Sequence, residues 1–287
     1  MLNSKVLGRA RVATSVMFFV NGMVLAIWAT NIPGMKQALA LTDSELGFAL
    51  SAFAAGTMLT MYLAGVLVTR LGSRKTLLMG GLLVALSLPL CAMAESAVAL
   101  AATIFLLGVT NSILDVSMNT HGAVIEAQKG RPLMSSFHAV FSIGGLAGAS
   151  TVATLLSDKL GVIQCLSIAG ALMAVATLVV ARSLGNLQPE VTVGQRVAVQ
   201  KSFAWPNRLL LCIAGLTFLA LFIERTVIDW SSLYLTDVSH SSTNIAAFAF
   251  GAFSLAMAIG RLSGDFIIRR FGINWVLTAS GAVGALG

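Results

Sequence analysis

Charge is what this sequence has least of. Only 10% of its 287 residues are Asp, Glu, Lys or Arg, while 57% are hydrophobic. A water-soluble domain cannot cover its surface with so few charges, so the solvent for most of this chain is lipid. The mean hydropathy of +0.91 agrees. Cysteine is scarce too. Cys91, Cys165 and Cys212 lie far apart in apolar segments, without metal-ligand spacing, and read as small packing residues. There is no nucleotide-binding loop, no metal-ligand cluster and no assembled nucleophile–base pair, so no cofactor or metal is expected. No segment alternates with period two over enough length for a membrane barrel, which leaves an all-α protein.

What is present is a series of long apolar runs. Spans of about 20 residues are needed to cross a bilayer, and they fall at 12–32, 45–69, 76–94, 97–126, 133–157, 160–181, 207–235 and 243–268. A ninth opens near Trp275 and is cut off at Gly287. With the loops alternating between two sides, fourteen Lys and Arg residues lie on one side, among them Arg9, Arg70, Arg74, Arg182 and Arg270. The other side has only Lys36 and Lys159. By the positive-inside rule the amino terminus is cytoplasmic. The net charge of +7 is therefore topology and not a nucleic-acid surface. The basic amino terminus before an apolar run imitates a signal peptide, but that run is too long and seven more follow. Trp28, Trp205, Trp230 and Trp275 fall near span ends, where an interfacial aromatic belt is expected.

The chain also repeats itself. Phe48/Phe248, Phe53/Phe253, Arg70/Arg270, Gly72/Gly272 and Gly81/Gly281 are identical pairs at a constant offset of 200. Two copies of a helical unit in a membrane composition point to a transporter built from two related halves. Residues 182–206 form the only long polar stretch and read as a cytoplasmic linker. The expected domains are a six-helix half at 1–181, that linker, and a partial second half at 207–287.

Gly65, Thr69, Arg70, Gly72, Arg74 and Lys75 form a basic motif in the loop between helices two and three, and Arg270 and Gly272 repeat part of it. This motif resembles that of the major facilitator superfamily. The segments around Asn21 and Trp28, Asp115 and Asn119, His138, and Asp229 and Trp230 resemble a bacterial inner-membrane subgroup related to fucose-permease-like sugar:proton symporters. The resemblance implies an all-α polytopic bundle, with eight complete transmembrane helices plus a truncated ninth. It departs in two respects. The family's usual Asp is Thr69 in the first copy and Arg269 in the second, with Asp265 one turn earlier. Such transporters have twelve helices, so this sequence reads as C-terminally incomplete.

A strongly polar side chain within hydrocarbon costs about 2.5–3.5 kcal/mol on insertion scales, which makes each one a functional candidate. Asn111, Asp115 and Asn119 recur every four residues on the fourth span, with Met118, Gly122 and Glu126 near the same line, forming one polar stripe. It faces a cavity or glues helices together. Asp115 is the better proton carrier, and His138 on the fifth span is expected near it, a neighbourhood suited to titration near neutral pH. His121 reads as interfacial. In the seventh span Arg225 and Asp229 can pair one turn apart, leaving Glu224 to Arg261 of the eighth span if those helices meet. Asn21 and Trp28 on the first span offer an amide and an indole, a platform for a hydroxylated solute or plain packing. Gly144, Gly145, Gly148, Gly251 and Gly260 allow close helix approach.

These readings converge on a secondary transporter for a small polar solute, proton-coupled through Asp115 and Glu224, in a bacterial inner membrane. A monomer is expected if the chain is full length. A proton falling through ~100 mV yields about 2.3 kcal/mol, enough for roughly fifty-fold accumulation of a neutral solute. Drug or metabolite export is an alternative. So is a fragment without autonomous transport. An intramembrane enzyme using Asp115 and His138 lacks a nucleophile and leaves the repeat unexplained.

Overall fold

The computed structural model describes residues 4–130, 133–156, 160–187 and 207–286. The described residues contain helices and turns, without a strand. The first span is α1 (Ser4–Thr30), broken at Asn31 and continued by the short α2 (Ile32–Ala38), which has Pro33 in its first turn. Then follow α3 (Asp43–Leu71), α4 (Ser73–Ala92), α5 (Ala97–Lys129), α6 (Met134–Thr151) and α7 (Val162–Val180). After the linker come α8 (Arg208–Leu233), α9 (Thr243–Phe271) and α10 (Ile273–Leu286). Two π-helical turns, Val152–Leu156 and Tyr234–Val238, extend α6 and α8. Eight of these segments are long and apolar enough to cross a membrane, in the order and near the positions read from the sequence.

The repeat at an offset of 200 is visible in the backbone. The helix at Asp43–Leu71 is matched by the one at Thr243–Phe271. The turns after them are set by Gly72 at φ +84° and Gly272 at φ +81°, a conformation that only glycine adopts without strain. The turns before them also correspond, with Ala40 at φ +48° and His240 at φ +51°. Most of the proposed linker, residues 188–206, lies outside the described residues.

The first six spans pack as one body around α1, whose Met17, Phe18, Val24, Ile27 and Trp28 are buried in its core. Its helices meet backbone to backbone. A Cβ on Gly22 would overlap the carbonyl oxygen of Phe141, and one on Gly144 would overlap that of Phe19, so α1 and α6 interlock through glycines on both sides. Gly56 and Gly108 lock α3 to α5 in the same way. Close approach of this kind replaces the hydrophobic effect, which is absent between helices in lipid.

The second body joins the first mainly along α6 against α9, with smaller contacts of α8 to α1 and α2. Ala246, Ala247, Phe250, Gly251, Ser254 and Ala258 are the buried residues of α9 among those described, spaced along one face. Beyond Arg261, Leu262, Phe266 and Phe271 are exposed, and so are residues 208–223 of α8.

Candidate functional site

Where α1, α6, α8 and α9 converge, four charged side chains are brought together as two pairs. Arg261 donates to Glu224 Oε1 at 3.0 Å, linking α9 to α8. Its other terminal nitrogen donates to Ser142 Oγ at 2.6 Å, and more distantly to the His138 carbonyl at 3.4 Å, both on α6. Arg225 donates to Asp229 Oδ2 at 3.0 Å one turn along α8. The charges in this seam thus sum to zero. A cavity of about 60 Å³ lies among them, lined by Trp28, Ser142, Glu224, Arg225 and Arg261. A much larger one, about 820 Å³, opens at the lysine- and arginine-poor end near Lys36 and Asp237, away from the buried charges.

The guanidinium of Arg225 also crosses to the first body. It lies 4.5 Å from the centre of the Phe53 ring and 5.8 Å from that of Trp28, and these two rings stack on each other. A cation over aromatic faces gains electrostatically while apolar surface is buried. In this contact Trp28 Nε1, Arg225 Nη2 and Asp229 Oδ1 are buried without a hydrogen-bond partner, as are Asn21 Oδ1 on α1 and Asn111 Oδ1 on α5. Buried polar groups are ordinarily paired, so a set of this kind marks a place for other hydrogen-bonding groups.

Asp115 stands apart. It is exposed, and Asn119 Nδ2 donates to its Oδ1 at 3.1 Å. Gly108 and Gly122 lie two turns to either side on the same face of α5. A Cβ on Gly108 would meet α3 at Phe53, and one on Gly122 would meet α6 at Phe137. Asp115 therefore lies on α5 midway between the contact with α3 and the contact with α6. Among the described residues no three His, Cys, Asp or Glu side chains could hold a metal ion.

A match to the family model described as Major Facilitator Superfamily runs over residues 14–287. The chain belongs to the major facilitator superfamily. An MFS-type transporter of Yersinia pestis is 32% identical over 277 residues, 96% of this chain and 71% of the relative. The membrane protein MosC of Rhizobium meliloti is also 32% identical, over 96% of this chain and 66% of its own length. The chain thus spans about two thirds to seven tenths of the relatives it matches. Among solved structures, the nucleoside transporter NupG superposes with a TM-score of 0.64 at 17% identity, over 92% of this chain and 69% of that one. That likeness establishes a shared fold.

The superfamily's loop motif acts here through one arginine. Arg74 donates from Nε and Nη2 to the carbonyl of Ala181 at 3.1 and 2.8 Å, and from Nη1 to Asn186 Oδ1 at 2.9 Å. It thereby caps the end of α7, where unpaired carbonyls carry partial negative charge. Arg70 and Arg270 are exposed, and Gly65 faces open space. The side chain of Asp265 lies outside the described residues.

Some sequence expectations are corrected. His138 does not join Asp115. Its ring packs edge-on to Phe18, and the charges acting on it are those of Arg261 and Glu224, because its position on α6 turns it toward α9. His121 is fully buried and not interfacial. It hydrogen-bonds Ser73 Oγ at 2.8 Å and the Leu184 carbonyl at 3.0 Å, tying α4 and the segment after α7 to α5. Trp28, 1% exposed, is no part of an aromatic belt, and Trp205 is outside the described residues. Glu126 leaves the polar stripe to cap α6, accepting from the backbone N–H groups of Leu133 and Met134. Cys91 and Cys165 are buried packing residues, whereas Cys212 is exposed on α8.

One contact had no signal in the sequence. Lys36 Nζ, on α2, is 2.7 Å from Asp43 Oδ1 and 2.5 Å from Asp237 Oδ2, on the far body.

Proposed function

We propose that this protein carries a small, uncharged, hydroxyl-bearing solute across a bacterial inner membrane by alternating access, with protons as the coupling ion. One observation carries the coupling. Among the described carboxylates within spans, Asp115 alone has neither a cation nor a backbone N–H as its partner, and it is exposed. Glu224 and Asp229 are held by arginines, and Glu126 caps a helix. An exposed carboxylate within a span, with only an amide beside it, is placed to take up and release a proton.

The solute class follows from charge and from unpartnered atoms. The paired arginines and carboxylates leave no net charge to attract an ion. The open donors are Trp28 Nε1 and Arg225 Nη2, and the open acceptors are the oxygens of Asn21, Asn111 and Asp229. A hydroxyl both donates and accepts, so a polyol, sugar or nucleoside satisfies such a mixed set. The resemblance to fucose-permease-like sugar:proton symporters and the nucleoside transported by NupG fall within that class. In this reading the arginine-rich side, with the amino terminus, is cytoplasmic, Asn119 holds Asp115 in place, and the protein works as a monomer.

The test is uptake by proteoliposomes under an imposed proton gradient. Asp115→Asn is expected to abolish proton-driven accumulation while sparing solute exchange at equal pH. Undiminished accumulation by this variant overturns the assignment.

A further inference from the structure

We propose that Lys36, Asp43 and Asp237 form a two-position latch at the lysine- and arginine-poor end, with Asp43 serving as the resting partner that keeps the latch easy to open. The inference rests on the alternating-access reading above. Lys36 lies in the last turn of α2, and Leu41 N–H returns to its carbonyl at 3.0 Å, so the following turn brings Asp43, the first residue of α3, back beside it. That geometry is internal to the first body. Asp237 sits on the π-helical turn after α8 and belongs to the second body, where Thr236 Oγ1 donates to its other oxygen at 3.0 Å. The lysine is mostly covered, with 18% of its side chain exposed, while Asp43 and Asp237 are 77% and 44% exposed.

One ammonium therefore holds two carboxylates, one from each body. When the bodies part at this end, Asp237 leaves with α8 while Lys36 keeps Asp43. The cation is never stranded without a partner. Both carboxylates reach water, so losing Asp237 changes the balance between closed and open forms by no more than about fivefold, the range of an exposed ion pair. A gate that must open in every cycle needs a bias of that size and not a lock. Asp43 also competes for the same three N–H donors, so its presence weakens the bond to Asp237.

This arrangement makes the two aspartates act in opposite directions. Spin labels on Ala38→Cys and Val238→Cys, both exposed and on opposite bodies, report the separation by pulsed electron resonance in proteoliposomes. Cys212→Ser removes the exposed native thiol. Asp237→Asn is expected to raise the ratio of long to short distances up to about fivefold, and Asp43→Asn to lower it. Raising salt from 0.05 to 1 M, a range over which the screening length shrinks to about 3 Å, should shift the wild type in the direction of Asp237→Asn and leave that variant unmoved. Two populations that neither substitution shifts, or a shift of both variants in one direction, overturn the latch. One unchanging distance in every variant overturns the alternating-access reading and the latch with it.

Discussion

Arg261 on α9 reaches across the seam to Ser142 on α6, at 2.6 Å, while its other nitrogen stays on Glu224 at 3.0 Å. The arginine thus has one partner in its own body and one in the other, the same division that Lys36 shows at the outer end. Separation of α6 from α9 at this level costs the hydroxyl contact and keeps the ion pair.

Removing Arg261 should therefore do more damage than removing Ser142. Arg261→Ala strands Glu224 in a partly covered site, where an unsatisfied charged group costs about 1–3 kcal/mol or more. Ser142→Ala forfeits the bond from Arg261, about 0.5–1.5 kcal/mol, and a back-bond at 3.2 Å to the His138 carbonyl of its own helix, while Glu224 stays paired. Melting temperatures in detergent should rank wild type above Ser142→Ala above Arg261→Ala. Equal melting temperatures for the two variants contradict the pairing.

Glycine substitutions should separate interlocked positions from open ones. Gly144→Ala drives a methyl group into the Phe19 carbonyl, whereas nothing lies within 4 Å of a Cβ on Gly65. Overpacking a closed contact costs about 1–3 kcal/mol, and Gly→Ala in a free helix interior gains up to about 1 kcal/mol. Gly144→Ala is expected to lower the yield of folded protein on size exclusion, and Gly65→Ala to leave it equal or higher.

His121 offers a test of a structural histidine. His121→Ala removes both of its hydrogen bonds and leaves the Leu184 carbonyl buried without a donor, at a cost of about 1–3 kcal/mol. Proton-driven uptake per folded molecule should stay near that of the wild type, because this site lies at the base of the first body and not in the seam. Loss of uptake at unchanged stability would instead assign His121 to the transport pathway.

Helix order, span positions and the repeat were legible because apolar run length and a constant offset are read directly from the residues. The Glu224–Arg261 pair was legible for a related reason. Few charges lie within adjacent spans, and membrane charges seek one another. The facing of side chains was not. Asp115 and His138 share a depth, but depth counts residues from a span end, whereas contact depends on rotational phase against a neighbour. Trp28 and His121 failed in the same way. Both lie near the ends of their spans, and both turn inward. Lys36 and Asp237 are separated by 201 residues and lie outside the apolar cores, where sequence alone gives charges no partner.

Packing and recognition are separable at Trp28. This indole is 1% exposed, stacks on Phe53 at 5.8 Å and lies under the Arg225 guanidinium, yet its N–H has nothing stronger beside it than the weakly accepting Cys91 thiol. Trp28→Ala empties a core position and should cost about 3–5 kcal/mol, the usual price of a large-to-small change. Trp28→Phe keeps a ring against Phe53 and removes the donor. If that donor serves the solute, Trp28→Phe melts close to the wild type while solute affinity drops about two- to tenfold, the worth of one neutral hydrogen bond. Isothermal titration with candidate polyols, sugars and nucleosides reads the affinity, and unchanged affinity for the transported solute would make Trp28 a packing residue alone.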